Sequence, residues 1–73
     1  MAGWGDDPVR EELIAAIDDG WKPVGLREER ADGNSYDVVT VEKDGKRKEF
    51  RSDHLHFHRY VEGLMDDFGL TYS

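Results

Sequence analysis

Three histidines stand at alternate positions in one stretch, His54-x-His56-x-His58. Neutral imidazole is a preferred ligand of zinc and other borderline metals. In an extended chain the three rings would line one face, with Leu55 and Phe57 on the other. In a helix only His54 and His58, four residues apart, share a face, and Glu62 continues that line as a third ligand or as the ion-pair partner of His58. The metal set to test is therefore His54, His58 and Glu62. No second ligand motif supports it, and solvent-facing histidines near a helix start would give the same pattern.

Phosphate recognition is a second chemistry to weigh. Between Lys43 and Arg59 six basic residues meet three acidic ones, in a chain that holds 10 basic and 17 acidic residues and a net charge of −7. A molecule polarised in this way could turn a basic hairpin toward phosphates while its acidic parts point away. Lys46, Arg47, Lys48, Arg51 and Arg59 are the residues that would do so. The electrostatic footprint is small for a nucleic-acid binder, and lysine and arginine also serve to blunt exposed strand ends.

Covalent catalysis has little to work with. There is no cysteine, which removes thiol chemistry, cysteine-ligated zinc and disulfides together. Ser35, Ser52, Ser73, Thr40 and Thr71 sit in no nucleophile-elbow setting, and neither a P-loop nor a dinucleotide fingerprint is present. A 73-residue chain also has difficulty enclosing a pocket of about 300 Å³. The expectation is a non-enzymatic protein without a cofactor. No run approaches the roughly 20 apolar residues of a membrane span, and the opening "MAGWG" is too short and polar for a signal peptide. A cytoplasmic location, in the reducing setting that suits a cysteine-free chain, is expected.

These side chains must be positioned by few elements. Length allows one domain, residues 1–73, with 1–5 and 70–73 as loose tails. The stretch "DDPVREELIAAIDDG" offers Asp6 or Asp7 as N-cap, Pro8 in the first turn and Gly20 past the end. Val9, Leu13, Ala16 and Ile17 form its apolar stripe. Residues 21–30, "WKPVGLREER", are broken by Pro23 and Gly25 and form an edge strand if they form a strand at all. The turn cluster "ADGNS" leads into the strand "YDVVTVEK", and Asp44-Gly45 folds "KRKEFRS" back as a two-residue type I′ hairpin. A second helix begins near Ser52 or Asp53 as N-cap and ends before Gly69, with Phe57, Tyr60, Val61, Leu64 and Phe68 on one side. Trp21 is expected to cap the core, and Trp4 to act as a lid on it or as an exposed anchor.

The Asp44-Gly45 turn fixes a register. Lys43 faces Lys46, Glu42 faces Arg47, Val41 faces Lys48, Thr40 faces Glu49, Val39 faces Phe50 and Val38 faces Arg51. Alternation then places Val39, Val41 and Phe50 under the helices. The opposite face carries Tyr36, Val38 and Thr40 beside Arg47, Glu49 and Arg51. This half-apolar, charge-rimmed face is the expected docking surface for a protein partner or a second copy, through Tyr36, Val38, Arg47 and Arg51.

The expected fold class is α+β, in the order α-β-β-β-α, with a three-stranded antiparallel meander and two helices packed on one face. That order and length resemble double-stranded-RNA-binding domains, in topology only. Those domains carry a lysine-rich motif at the start of the last helix, where this chain has "DHLHFHRY", and their first helix approaches RNA, where this one carries Asp6, Asp7, Glu11, Glu12, Asp18 and Asp19. Fold does not transfer function. The reading is a small acidic interaction module; the alternatives are a nucleic-acid-associated regulator using the basic 43–59 segment, or an inhibitor whose acids mimic a phosphate backbone.

Asp18-Asp19 and Asp66-Asp67 fall at the C-terminal ends of the two helices, where the dipole disfavours anions by about 0.3–1 kcal/mol each at low salt. Aspartate exceeds glutamate and arginine exceeds lysine, a balance that suits a salt-rich solvent. Melting temperature measured against KCl separates the causes. Salt adaptation predicts a rise that continues beyond about 0.5 M, where simple screening is nearly complete; a flat profile points instead to a basic partner.

Overall fold

A computed structural model describes residues 7–73; the expectations for Trp4 and Asp6 fall outside them. The chain runs α1 (Pro8–Asp18), β1 (Lys22–Ala31), β2 (Asn34–Lys43), β3 (Lys46–Ser52) and α2 (Leu55–Phe68). The strands form one antiparallel sheet in the order β1-β2-β3. It is the expected α+β meander with both helices on one face. Among the described residues no helix is long and apolar enough to cross a membrane.

Both hairpins turn on the same dipeptide. Asp32-Gly33 and Asp44-Gly45 each take φ of 53° and 79°, the paired left-handed conformations of a type I′ turn. The β2–β3 register follows from the second turn residue for residue, from Lys43↔Lys46 to Val38↔Arg51. The first sets Ala31↔Asn34 and, further along, Arg27↔Val38 and Leu26↔Val39. The β1–β2 register shifts between Pro23 and Gly25. That irregularity lies where proline lacks a ladder donor; the segment is a strand, and it takes the edge position that the sequence allowed it.

Alternation then fills the helix side. Leu26, Val39 and Val41 from the sheet meet Leu13 of α1 and Phe57, Val61 and Leu64 of α2 in one buried cluster, flanked by Val9, Ile17, Trp21, Phe50, Tyr60, Met65 and Leu70. Each such aliphatic or aromatic side chain gains roughly 1.5–3 kcal/mol on burial. The α1 cap is Asp7, whose Oδ1 accepts from the Val9 amide at 3.2 Å. Its other oxygen accepts from the Ser52 hydroxyl at 2.8 Å, so the start of α1 is tied to the end of β3.

That tie moves the second cap. Ser52 still pairs with Asp37 inside the sheet, and its hydroxyl oxygen accepts from the His54 amide at 3.1 Å. The N-cap of α2 is consequently His54, in place of the expected Ser52 or Asp53, with Nδ1 accepting from the His56 amide at 3.1 Å. Gly69, in left-handed conformation at φ 68°, ends the helix.

Residues 70–73, expected as a loose tail, are docked. Leu70 packs on the core, the Ser73 amide donates to the Leu26 carbonyl at 3.0 Å, and the Tyr72 hydroxyl donates to Asp37 Oδ1 at 2.7 Å. The sequence pattern of "LTYS" gives no sign of this, because the partners lie in β1 and β2. Burial first, then the Asp37 hydrogen bond and the carboxylates of Glu28 and Glu62, push the Tyr72 phenol well above its ordinary value of 10. A phenol raised on folding stabilises the fold fully below its unfolded pKa, and the gain is lost as pH climbs toward the folded one. Tyr72→Phe is expected to cost about 1 kcal/mol near neutrality, below the usual range for a bond to a charged group because the ring is exposed to solvent. It should also lessen the loss of stability expected for the parent above pH about 10, to which the raised Tyr60 phenol contributes as well, both read from urea midpoints.

Candidate functional site

The sheet face away from the helices carries a continuous charge ladder. Register places Arg27 of β1, Val38 of β2 and Arg51 of β3 in one row, with Glu29 opposite Tyr36 and Thr40 opposite Glu49 in the rows on either side. Arg27 reaches Glu49 at 2.8 Å and Glu29 at 2.9 Å. Arg51 Nε lies 3.1 Å from Glu29, and its guanidinium sits 3.9 Å from the centroid of the Tyr36 ring. Arg47 and Glu42 pair at 3.0 Å. Three arginines are thus matched by three glutamates within one layer.

Hydrogen bonds from Arg27 hold the Glu49 carboxyl below the ordinary carboxylate value. The same bonds, accepted by Glu49 and Glu29, reinforce the Arg27 charge. The pairs are solvent-exposed, so each is worth little alone; their joint effect is to fix long side chains in one arrangement.

Of the four docking residues read from the sequence, Tyr36, Arg47 and Arg51 are on this face and accessible. Val38 is not accessible: it is on the same face but only 1% exposed. The sequence expectation of an apolar patch open to a partner is corrected here, because the long arms of flanking arginines cover a central-strand valine. Arg27 and Glu29 were missed. The Asp32-Gly33 dipeptide inside "ADGNS" held the needed signal, since treating it like Asp44-Gly45 places both residues beside Val38 and Tyr36.

The basic segment does not form one surface. Arg47 and Arg51 lie in the ladder beside glutamates, whereas Lys48 belongs to the helix side, with Nζ 4.7 Å from the Trp21 ring centroid. Lys46 is exposed at the hairpin tip. Arg59 is on α2 and lines a groove with Arg10, Leu55, His56 and Tyr60. Lys43, the first cation of that segment, bonds the Asp19 carbonyl at 2.8 Å and the Asp19 carboxylate at 3.1 Å. It supplies the positive charge that the α1 C-terminus lacks locally.

The histidines also part company. His54 Nδ1 is used in the cap, and the His56 ring stacks edge-on against it at 5.2 Å. His58 turns instead to the sheet, with Nδ1 at 2.8 Å from Asp37 Oδ2 and Nε2 at 3.7 Å from Glu62. The expected set of His54, His58 and Glu62 is therefore not assembled, because His54 is a cap and not a member of the helical face. Among the described residues no group of three or more histidine, cysteine or acidic side chains converges as a metal centre would. Asp37 is the residue the sequence reading overlooked. It is 8% exposed and accepts from both His58 and Tyr72 on its two oxygens. Its place next to Val39 and Val41 in the alternation was the available clue.

Burial of Val38 makes a direct prediction. Val38→Asp should destabilise the fold by about 3 kcal/mol or more, because the new carboxylate has no room to reach water. A urea midpoint unchanged from the parent would show the ladder to be an open lid. No protein family, curated protein or solved structure matches the chain.

Proposed function

We propose that the chain is a non-enzymatic interaction module that docks a protein partner on the open face of its sheet. One observation carries the reading: a sheet face that no other element among the described residues covers, on which Arg51, stacked 3.9 Å from Tyr36, is held by the Arg27–Glu29–Glu49 ladder. Association normally costs the ordering of long side chains, about 0.5–1.5 kcal/mol each. Here much of that order is present beforehand. Tyrosine and arginine are also the side chains that most often dominate binding energy at protein interfaces.

Charge favours a protein over a nucleic acid. The molecule carries −7 in all, yet this face balances three arginines with three glutamates. A phosphate backbone would meet a carboxylate beside each guanidinium, whereas a protein surface of mixed sign can complement both. A second copy of the chain satisfies the same condition. A cytoplasmic setting accompanies the proposal, as a cysteine-free composition suits a reducing compartment.

The test compares immobilised parent protein with the double variant Tyr36→Ala/Arg51→Ala and with Arg30→Ala, in an extract of the cells that express it. Folding of each is checked by circular dichroism, and self-association by light scattering. A protein, or a second copy, that binds the parent and Arg30→Ala but is weakened about tenfold or more by the double variant is the expected result. Equal retention by all three, or no association by any, overturns the assignment of this face.

A further inference from the structure

We infer that the chain pairs with a second copy of itself through the outer edge of β3, joining two three-stranded sheets into one; this edge is distinct from the sheet face and does not rest on that reading. The two edges of the sheet are built differently. β1 carries Pro23, a register shift beside it and the Ser73 amide on its Leu26 carbonyl, devices that keep another strand away. β3 holds no proline, glycine or bulge, and its register runs unbroken from Lys46 to Ser52. In a two-residue hairpin the closing pair, here Lys43↔Lys46, is hydrogen-bonded. Alternation makes Lys48, Phe50 and Ser52 the other β3 residues whose backbone groups turn to β2. The amides and carbonyls of Arg47, Glu49 and Arg51 point outward, and among the described residues no backbone group meets them.

The charges of that edge identify its occupant. Lysine and arginine on an edge strand normally repel a neighbour. Two antiparallel copies related by a two-fold axis through Phe50 reverse the effect. Glu49 then stands opposite the second copy's Arg51, and Arg47 opposite its Asp53, and symmetry repeats each pair. The neighbouring registers each oppose like charges. An axis at Glu49 sets Arg47 against Arg51, one at Arg51 sets Glu49 against Asp53, and one at Lys48 sets two lysines together. In the Phe50 register the outward groups of Glu49 and Arg51 exchange backbone hydrogen bonds with their counterparts, and the ladder on the open face continues across the junction with alternating sign. That register also has an apolar centre. Phe50 is half-buried and lines a groove with Trp21 and with Ala15 and Ala16 of α1. On the axis the two Phe50 residues form a non-hydrogen-bonded pair, with Cα atoms about 4.5 Å apart, the spacing at which side chains of an antiparallel pair come closest.

The experiment is sedimentation velocity on the full chain from about 10 µM to about 1 mM, with amide hydrogen exchange at both ends of that range. A dimer that builds up with concentration is expected, with the Glu49 and Arg51 amides protected only in the concentrated sample. Glu49→Arg and Arg51→Glu, each checked for folding by circular dichroism, should each weaken the dimer about tenfold or more, because each sets like charges opposite one another. Mixed in equal amounts, the two variants should associate about as tightly as the parent, since opposite charges then face each other at both positions. Damage to either monomer would not be repaired by mixing. Tyr36→Ala, a change on β2, should dimerise as the parent does. A monomer throughout the range, rapid exchange of the Glu49 and Arg51 amides at both concentrations, or variants that fail to associate when mixed overturns the proposal. A dimer lost with Tyr36→Ala also overturns it and belongs to the sheet face, so the two readings fail separately.

Discussion

Two Asp-Gly turns, both with left-handed backbone at φ 53° and 79°, govern where every sheet side chain points. A type I′ turn of two residues admits one register, and in a strand of period 2 one register assigns each side chain to a face. A slip of one residue in β2 would exchange Asp37, Val39 and Val41 with Tyr36, Val38 and Thr40. The core would then receive a phenol and a threonine hydroxyl and hold one valine in place of two, and the carboxylate that holds His58 and Tyr72 would face solvent. Core, charge ladder and the Asp37–His58 contact are thus consequences of the same two backbone corners.

β2 serves both sides of the molecule because it is the central strand. Val38 is covered from the open side by arginine arms, while Asp37 and Val39 on either side of it lie under α2. The ends of the chain are recruited to the same purpose. Asp7 bonds Ser52 at 2.8 Å, and Tyr72 bonds Asp37 at 2.7 Å, so both terminal segments of the described residues anchor on β2 or its partner. For a domain this small, which buries about 60% of the surface its unfolded chain exposes, such polar ties to buried carboxylates supplement a limited apolar core. The tail contact to the Leu26 carbonyl also occupies part of the free edge of β1, where an unpaired strand invites unwanted pairing.

The acidity is less unbalanced in three dimensions than along the chain. Asp19, unfavourable at the end of α1, meets Lys43 brought from β2, and Glu29, Glu42 and Glu49 are each matched by an arginine across the sheet. Asp66 and Asp67 at the end of α2 form no ion pair among the described residues, so the dipole penalty persists there. Salt would relieve that residue of repulsion while weakening the exposed arginine–glutamate pairs, and the two effects oppose each other.

Periodicity and turn chemistry, both local properties, were enough to determine the element order, the β2–β3 register and most of the core from Leu13 to Leu64; Leu26 of β1 was not read as core, and Phe68, read on the apolar side of α2, is 47% exposed. They could do so because type I′ geometry and amphipathic spacing depend on residues within a few positions of one another. Four things were decided only by tertiary structure. Val38 is buried because arginines from two other strands lie over it; His54 caps α2 because Ser52 is engaged by Asp7; the last four residues dock because β1 and β2 offer a carbonyl and a carboxylate. Asp37 gains His58 and Tyr72 through contacts 21 and 35 residues apart. Each depends on side chains that meet only after the sheet has formed, and no local pattern in the sequence encodes such meetings.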